Sequence, residues 1–373
     1  MTQQVPKWQE KLLGMGGVMF LLSLILLAIG IFFIHSAAPS RTGFSSSYAA
    51  KQLVWATIGL TVFIGISCCN YRWLLQRSYS IYLFGLALLL LTSVIGVKRG
   101  GARCWLQFGP VLFQTSEVMK LALILILAKV LTAQKSNDRL INLVAPILIT
   151  FVPMLILFAQ PDLGTVMLLV PVVATMVFVG GANIRHCIAL ALIGVCLGVS
   201  MFFLVLHDYQ KKRVLMFVFQ NQMTLEEKRG AGYHMTQSLI ALGNGGLTGR
   251  GWRKGTQNRF GFLPERHTDF IFSVIGEEWG FAGTAFVIAI YVFLFFTMLL
   301  IAYTTTSPPA QLATIGIMML LCCQTLINTC MTVGMAPITG LPLPFVSYGG
   351  SALLFNFIAI AIVVSINARK TIP

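Results

Sequence analysis

The chain has 373 residues, 57% apolar and 10% charged, where a soluble globular domain carries about 25% charged residues, so a soluble domain is excluded. Mean hydropathy is +0.84, and no charge interrupts the stretch from Trp279 to Ala368, which alone holds about three membrane crossings at roughly 20 residues each. The net charge of +15, from 26 Lys+Arg against 11 Asp+Glu, must sit in loops and termini, and it points to anionic lipid or an anionic substrate.

The pattern predicts an all-α polytopic membrane protein, one domain over residues 1–373 with about ten transmembrane helices. Lys7 and Lys11 precede an uncharged run, Leu12–Ser40, longer than the apolar region of about 7–15 residues in a cleavable signal peptide, so it reads as the first span. Further spans are expected near Leu53–Cys69, Tyr79–Val97, Val118–Leu131, Ile141–Phe158, Leu163–Gly180 and Cys187–Leu206. A polar interval, His207–Thr268, separates spans seven and eight. Breaks at Thr304–Gln311 and Gly334–Gly350 then divide the apolar C-terminal third into three spans.

With the N-terminus inside, the inner segments carry ten basic residues (Lys7, Lys11, Arg72, Arg77, Lys129, Lys135, Arg139, Arg185, Arg369, Lys370) against five in the short outer loops (Arg41, Lys51, Lys98, Arg99, Arg103). This bias places both termini in the cytoplasm and the 207–268 loop outside. That loop holds ten of the 26 basic residues. They serve either anionic headgroups or a phosphate-rich substrate, and apolar pieces such as Met235–Leu242 indicate a structured element in the interface.

Acids and bases within a membrane are functional candidates by default. Glu117 and Lys120, three residues apart, share a helical face and read either as a self-neutralising strut or as a substrate contact. Arg103, beside Trp105, is an interface anchor or a phosphate clamp. Asp162, in Gln160-Pro-Asp-Leu-Gly-Thr165, caps the following helix or faces substrate. The densest cluster is Glu265-Arg-His-Thr-Asp269, at the outer boundary where an apolar helix begins. Thr268 is expected as N-cap and Asp269 in the first turn. Glu277 and Glu278, about 12 Å further along that helix, read as structural.

The run Gly243-Asn-Gly-Gly-Leu-Thr-Gly-Arg-Gly251 resembles a nucleotide-binding glycine loop but lacks the strands and crossover helix of such a unit. The five histidines and eight cysteines show no metal-ligand spacing, so no structural zinc site is expected. Nothing indicates a nucleic-acid partner.

Seven segments in this order resemble the SEDS (shape, elongation, division and sporulation) family: Gly101-Ala-Arg-Cys-Trp105, Gln114-Thr-Ser-Glu-Val-Met-Lys120, Gln160–Thr165, Tyr209–Val214, Gly232–Ser238, Pro264–Gly280 and Gly340–Ser351. Arg266 in its motif, Pro342 and the short termini are most like the elongation branch. Cys104, Thr115 and Trp279 depart from the usual pattern. The resemblance implies a peptidoglycan glycosyltransferase of the bacterial inner membrane. It would polymerise lipid II, a disaccharide-pentapeptide on undecaprenyl pyrophosphate, on the outer face, for cell elongation and shape. The family's proposed catalytic acid falls on Asp269. Arg103, Glu117, Lys120, Asp162, Arg213, Arg259, Arg266 and His267 are the expected substrate-binding residues. No cofactor is certain, although a divalent cation, Mg or Mn, could assist the leaving pyrophosphate. The implied partners are a class B penicillin-binding protein transpeptidase and the elongation complex. The rival readings are a lipid II flippase and a scaffold. The acids cluster at the outer end and the inner halves of the spans are nearly free of charge, which favours the enzyme.

Overall fold

The computed structural model describes residues 14–38, 47–99, 102–109, 111–134, 140–190, 192–194, 211, 215, 217–219 and 232–369. Seven of the helices described are long and apolar enough to cross a membrane. They are α1 (Met15–Ala37), α2 (Tyr48–Cys68), α4 (Ser78–Ile95), α6 (Leu140–Ala159), α10 (Ile271–Thr304), α11 (Pro308–Thr332) and α12 (Gly350–Arg369). Two more, α5 (Thr115–Ala133) and α7 (Leu163–Val179), coincide with expected spans. The expected Cys187–Leu206 span lies mostly outside the described residues, so the count of ten is not established. A short helix, α3 (Tyr71–Gln76), follows α2. In the polar interval lie α8 (Tyr233–Gly245), which contains Met235–Leu242, and α9 (Thr256–Arg259).

The outward faces keep large apolar residues such as Leu83, Phe84 and Phe293 exposed, as lipid contact requires, while helical geometry satisfies the backbone internally. Helix α5 is central, with fifteen of its nineteen residues buried, so its charges Glu117 and Lys120 are enclosed by protein.

The all-helical expectation needs one addition, a three-stranded antiparallel sheet formed by β1 (Val97–Arg99), β2 (Ala102–Phe108) and β3 (Val111–Gln114). Trp105 pairs with Gln114, and Phe108 with Val111 across a tight turn in which Gly109 has φ 58°, the backbone region such hairpins need. The sheet lies at the end of the bundle that holds the candidate site. At the opposite end, Arg369 donates to Ser67 O and Cys68 O, and Lys129 Nζ donates to Gln76 O at 2.9 Å. These cations meet the negative ends of helix dipoles.

Candidate active site

The geometry around Asp269 turns on one glycine. Gly280 interrupts α10 with φ 68° and ψ −164°. A Cβ on Gly276 would lie 3.4 Å from Thr284 Cγ2, whereas eight residues of unbroken helix span about 12 Å. The chain therefore folds back, and residues 271–279 form a separate limb. Two pairings give its direction. Asn328 Nδ2 donates to Asp269 O at 3.0 Å, while Ser238 Oγ bonds both Thr332 O, at 2.6 Å, and Ser273 Oγ, at 2.7 Å. From 269 to 273 the limb thus advances alongside residues 328 to 332 of α11, and after Gly280 the chain returns antiparallel to α11.

This corrects the expectation that Asp269 begins a spanning helix with Glu277 and Glu278 deeper in the membrane. Asp269 lies at the end of the limb nearer the middle of α1, and the two glutamates lie level with the C-terminal end of α1. A Cβ on Gly30 would come within 2.5 Å of Val346 O in the segment that holds the Asp269 turn, and Gly30 is seven residues, about 10 Å, before the end of α1. Glu278, by contrast, accepts from Ser36 Oγ, one residue before that end, at 2.5 Å. Hydropathy does not register the reversal, because glycine is common in membrane helices. Thr268 is not the N-cap either. Phe270 occupies that position without a side-chain cap, and the Thr268 hydroxyl bonds Glu265 O and Oε2, each at 3.1 Å.

The reversal frees backbone groups that the glycine run satisfies. Arg250 N and Gly251 N donate to Glu277 O and Glu278 O at 3.0 and 2.9 Å, and Phe281 N and Ala282 N donate to Gly246 O and Leu247 O at 2.9 and 3.0 Å. A helix would have joined 281 to 277 and 282 to 278, so residues 246–251 stand in for the missing turn. Gly249, with φ 80°, packs directly on the backbone of Glu278 and Trp279. Both glutamates are fully buried. Glu277 accepts from Thr256 Oγ1, Gln257 N and Asn258 N at 2.9–3.2 Å, capping α9, and Asn258 Nδ2 donates to Glu278 at 2.8 Å.

The Asp269 end is held by three consecutive carbonyls. His267 O accepts from Tyr348 N at 2.9 Å, Thr268 O from Ser347 Oγ at 2.6 Å, and Asp269 O from Asn328 Nδ2. The segment that supplies Tyr348 and Ser347 is itself anchored by buried amides: Gln324 Nε2 to Pro342 O at 2.8 Å, Asn328 Nδ2 to Leu341 O at 2.7 Å, and Gln52 Nε2 to Ser347 O at 3.2 Å. The charge-based reading missed these amides. An Asn and a Gln inside the long uncharged run were the available signal. Asp269 itself is half-buried, and a Cβ on Gly340 would lie 3.7 Å from its Oδ2.

His267 packs against Tyr48 with its ring tilted by 31°, at a centroid distance of 4.3 Å, with Tyr348 at 5.8 Å. Burial pushes its pKa down, Glu265 opposes the shift, and Arg266 adds to it. The Arg266 guanidinium donates to Asn258 O, and burial lowers its pKa as well. Arg259 is exposed, 6.0 Å from the Phe260 ring. Arg253 bonds His35 Nε2 at 2.9 Å and Arg250 Nε bonds Asn244 O at 3.0 Å. Arg213 lies outside the described residues.

Asp162 takes the capping position, accepting from Thr165 N at 3.1 Å and Thr165 Oγ1 at 2.9 Å. It flanks β2, where burial first and this carboxylate second push the Cys104 thiol up to about 12. Gln114 Nε2 reaches Asp162 Oδ2 at 3.5 Å. Two residues on, Gly164 abuts Thr339 O, so Asp162 and Asp269 flank the same short segment, 339–341. Glu117 and Lys120 form a buried ion pair at 2.8 Å. Arg103 Nη1 donates to Ser93 O and Val94 O at 3.3 and 3.4 Å, finishing α4. Among the described residues no three His, Cys, Asp or Glu side chains converge as a metal site.

The sequence model of the family described as "Cell cycle protein" (FtsW, RodA, SpoVE) matches residues 17–372. The chain is 35% identical to the peptidoglycan glycosyltransferase MrdB of Escherichia coli K12, over 94% of this chain and 93% of the relative. It is 30% identical to the peptidoglycan glycosyltransferase RodA of Treponema pallidum, over 95% and 97%. A solved chain from a peptidoglycan synthase complex that coordinates polymerization and crosslinking superposes with a TM-score of 0.82 at 28% identity, covering 95% of this chain and 98% of that one.

Proposed function

Because the chain belongs to the FtsW/RodA/SpoVE family, whose RodA members it resembles, we propose that this peptidoglycan glycosyltransferase polymerises lipid II at the turn that carries Asp269. The observation that carries this reading is a carboxylate on a re-entrant limb whose turn is anchored through three successive backbone carbonyls. That is the preorganisation a general base requires.

Asp269 removes the proton from the GlcNAc 4-hydroxyl of one lipid II as that oxygen attacks the anomeric carbon of the MurNAc at the end of the other chain. The bond to undecaprenyl pyrophosphate breaks with inversion, leaving a β-1,4 link. A base so placed contributes about 10²–10⁴-fold. The departing pyrophosphate carries negative charge that cations stabilise. Arg266, half-buried three residues before Asp269, and the exposed Arg259 are the assigned contacts, with His267, Arg103 and Asp162 at the rim; Arg213, outside the described residues, is a further candidate contact. Glu117 and Lys120 hold the central helix beneath. A divalent cation, Mg or Mn, would, if bound at the site, help to neutralise the leaving pyrophosphate.

The cationic caps at Lys129 and Arg369 support a cytoplasmic placement of that end and of both termini, with the site on the outer face of the inner membrane. The similarity to a synthase complex supports a class B penicillin-binding protein as partner, and the likeness to RodA supports a role in elongation and cell shape. A lipid II flippase is the alternative. Purified chain in detergent supplied with lipid II is expected to yield glycan polymer. A preparation that binds lipid II yet makes no polymer, alone or with its partner, would overturn the enzyme reading.

A further inference from the structure

We infer that Asn328 is a positioning residue for the reaction, setting where the Asp269 carboxylate stands by holding that residue's own carbonyl. The inference rests on Asp269 acting as the base. Of the three donors that anchor the turn, Tyr348 N is backbone and Ser347 Oγ comes from the same segment. Only the Asn328 side chain brings in a different element, α11. Its Nδ2 is forked, donating to Asp269 O at 3.0 Å and to Leu341 O at 2.7 Å. The two carbonyls fix the amide orientation, because the opposite flip would set an oxygen against both.

The location makes this fork consequential. Asn328 and Leu341 are buried, so water does not replace the lost donor at Leu341 O. Leu341 is adjacent to Gly340, over which the Asp269 carboxylate lies. One amide therefore ties the residue bearing the base to the backbone beneath its carboxylate. Leucine has nearly the shape of asparagine and donates nothing. Serine keeps one donor and needs no extra room.

The test uses the full-length protein in neutral detergent with lipid II, comparing the parent, Asn328→Leu, Asn328→Ser and Asp269→Asn. Asn328→Leu is expected to lower kcat at least tenfold with KM within about twofold, and to displace the acid limb of the pH–rate profile, because the base has moved while the substrate contacts have not. Asn328→Ser should fall between it and the parent. A purely structural role would lower the thermal midpoint and the yield of folded protein but leave kcat per folded molecule, KM and the acid limb unchanged. That result overturns the inference. Should Asn328→Leu not fold, Asn328→Ser carries the same test, and parent-like kcat there is equally fatal. Asp269→Asn separates the two failures. If that variant is inactive while the Asn328 variants match the parent, only the positioning role falls. If it polymerises normally, the base assignment falls first.

Discussion

Gly276 lies against Thr284 although eight residues separate them, because the backbone reverses at Gly280. An apolar stretch that reads as one helix is thus a short limb and a longer span running back the other way, and the reversal places Asp269 further into the bundle than Glu277 and Glu278.

That reversal depends on a left-handed φ and on direct backbone contact, so Gly280→Ala is expected to be severe. The φ alone costs about 1–3 kcal/mol for a residue with a side chain, and the added Cβ would collide with Gly249 N and Leu247 O. Thermal midpoint and glycan yield in detergent should both fall sharply. A variant matching the parent in both would show that the loop does not substitute for the helical turn.

Glu117 and Lys120 should behave as a unit. Removing one partner of a buried pair costs about 3–5 kcal/mol, since the other charge is left uncompensated. Glu117→Gln or Lys120→Met should therefore lose most folded protein, and the exchange Glu117→Lys with Lys120→Glu should recover much of it. An exchange that folds no better than either single change would remove the pairing as the cause.

His267 gives the turn a pH signature. Its pKa is lowered below the ordinary 6.5, first by burial, so between 6.5 and its folded value the unfolded chain binds the proton and the folded chain does not. Its contribution is complete above pH 6.5 and is lost as pH falls through that window. The thermal midpoint of the parent should drop between pH 7 and pH 5.5 more than that of His267→Gln. Equal slopes would mean that His267 does not titrate with folding.

Much of this was readable in advance because membrane burial leaves a simple record. Runs such as Leu12–Ser40 mark helices by length alone, and the spacing of Glu117 and Lys120 announces their pairing. Asp162 was readable as a cap from its place before Leu163. The reversal at Gly280 was not, since it rests on a dihedral angle and on a distant glycine run that fits it. Asn328, Gln324 and Gln52 escaped a search based on charge because they act through amides on backbone carbonyls. The short sheet at 97–114 escaped because its strands are brief and interrupted by Gly and basic residues.

The basic residues of the 207–268 loop should differ in their effects on turnover. Arg253 and Arg250 are engaged with α1 and α8 respectively, whereas Arg266, three residues before Asp269, is half-buried and donates to Asn258 O. Charge-assisted contacts to pyrophosphate are worth about 1.5–3 kcal/mol, against about 1 kcal/mol for a surface cation near anionic lipid. In neutral detergent, Arg266→Gln is expected to reduce lipid II turnover at least tenfold, and Lys254→Gln to leave it nearly unchanged. Equal, small effects at Arg250, Arg253, Lys254, Arg259 and Arg266 would assign the charge to the membrane.

The central claim is that the Asp269 carboxylate is the base for glycan polymerisation. Asp269→Asn keeps the side chain's shape and removes its basicity, while the backbone carbonyl that Asn328 holds is untouched. The decisive measurement is lipid II polymerisation by purified Asp269→Asn, with its thermal midpoint and partner binding recorded on the same preparation. Folded, partner-competent protein that makes no glycan strands is the expected result. Glycan chains at the parent's rate from that preparation would contradict it.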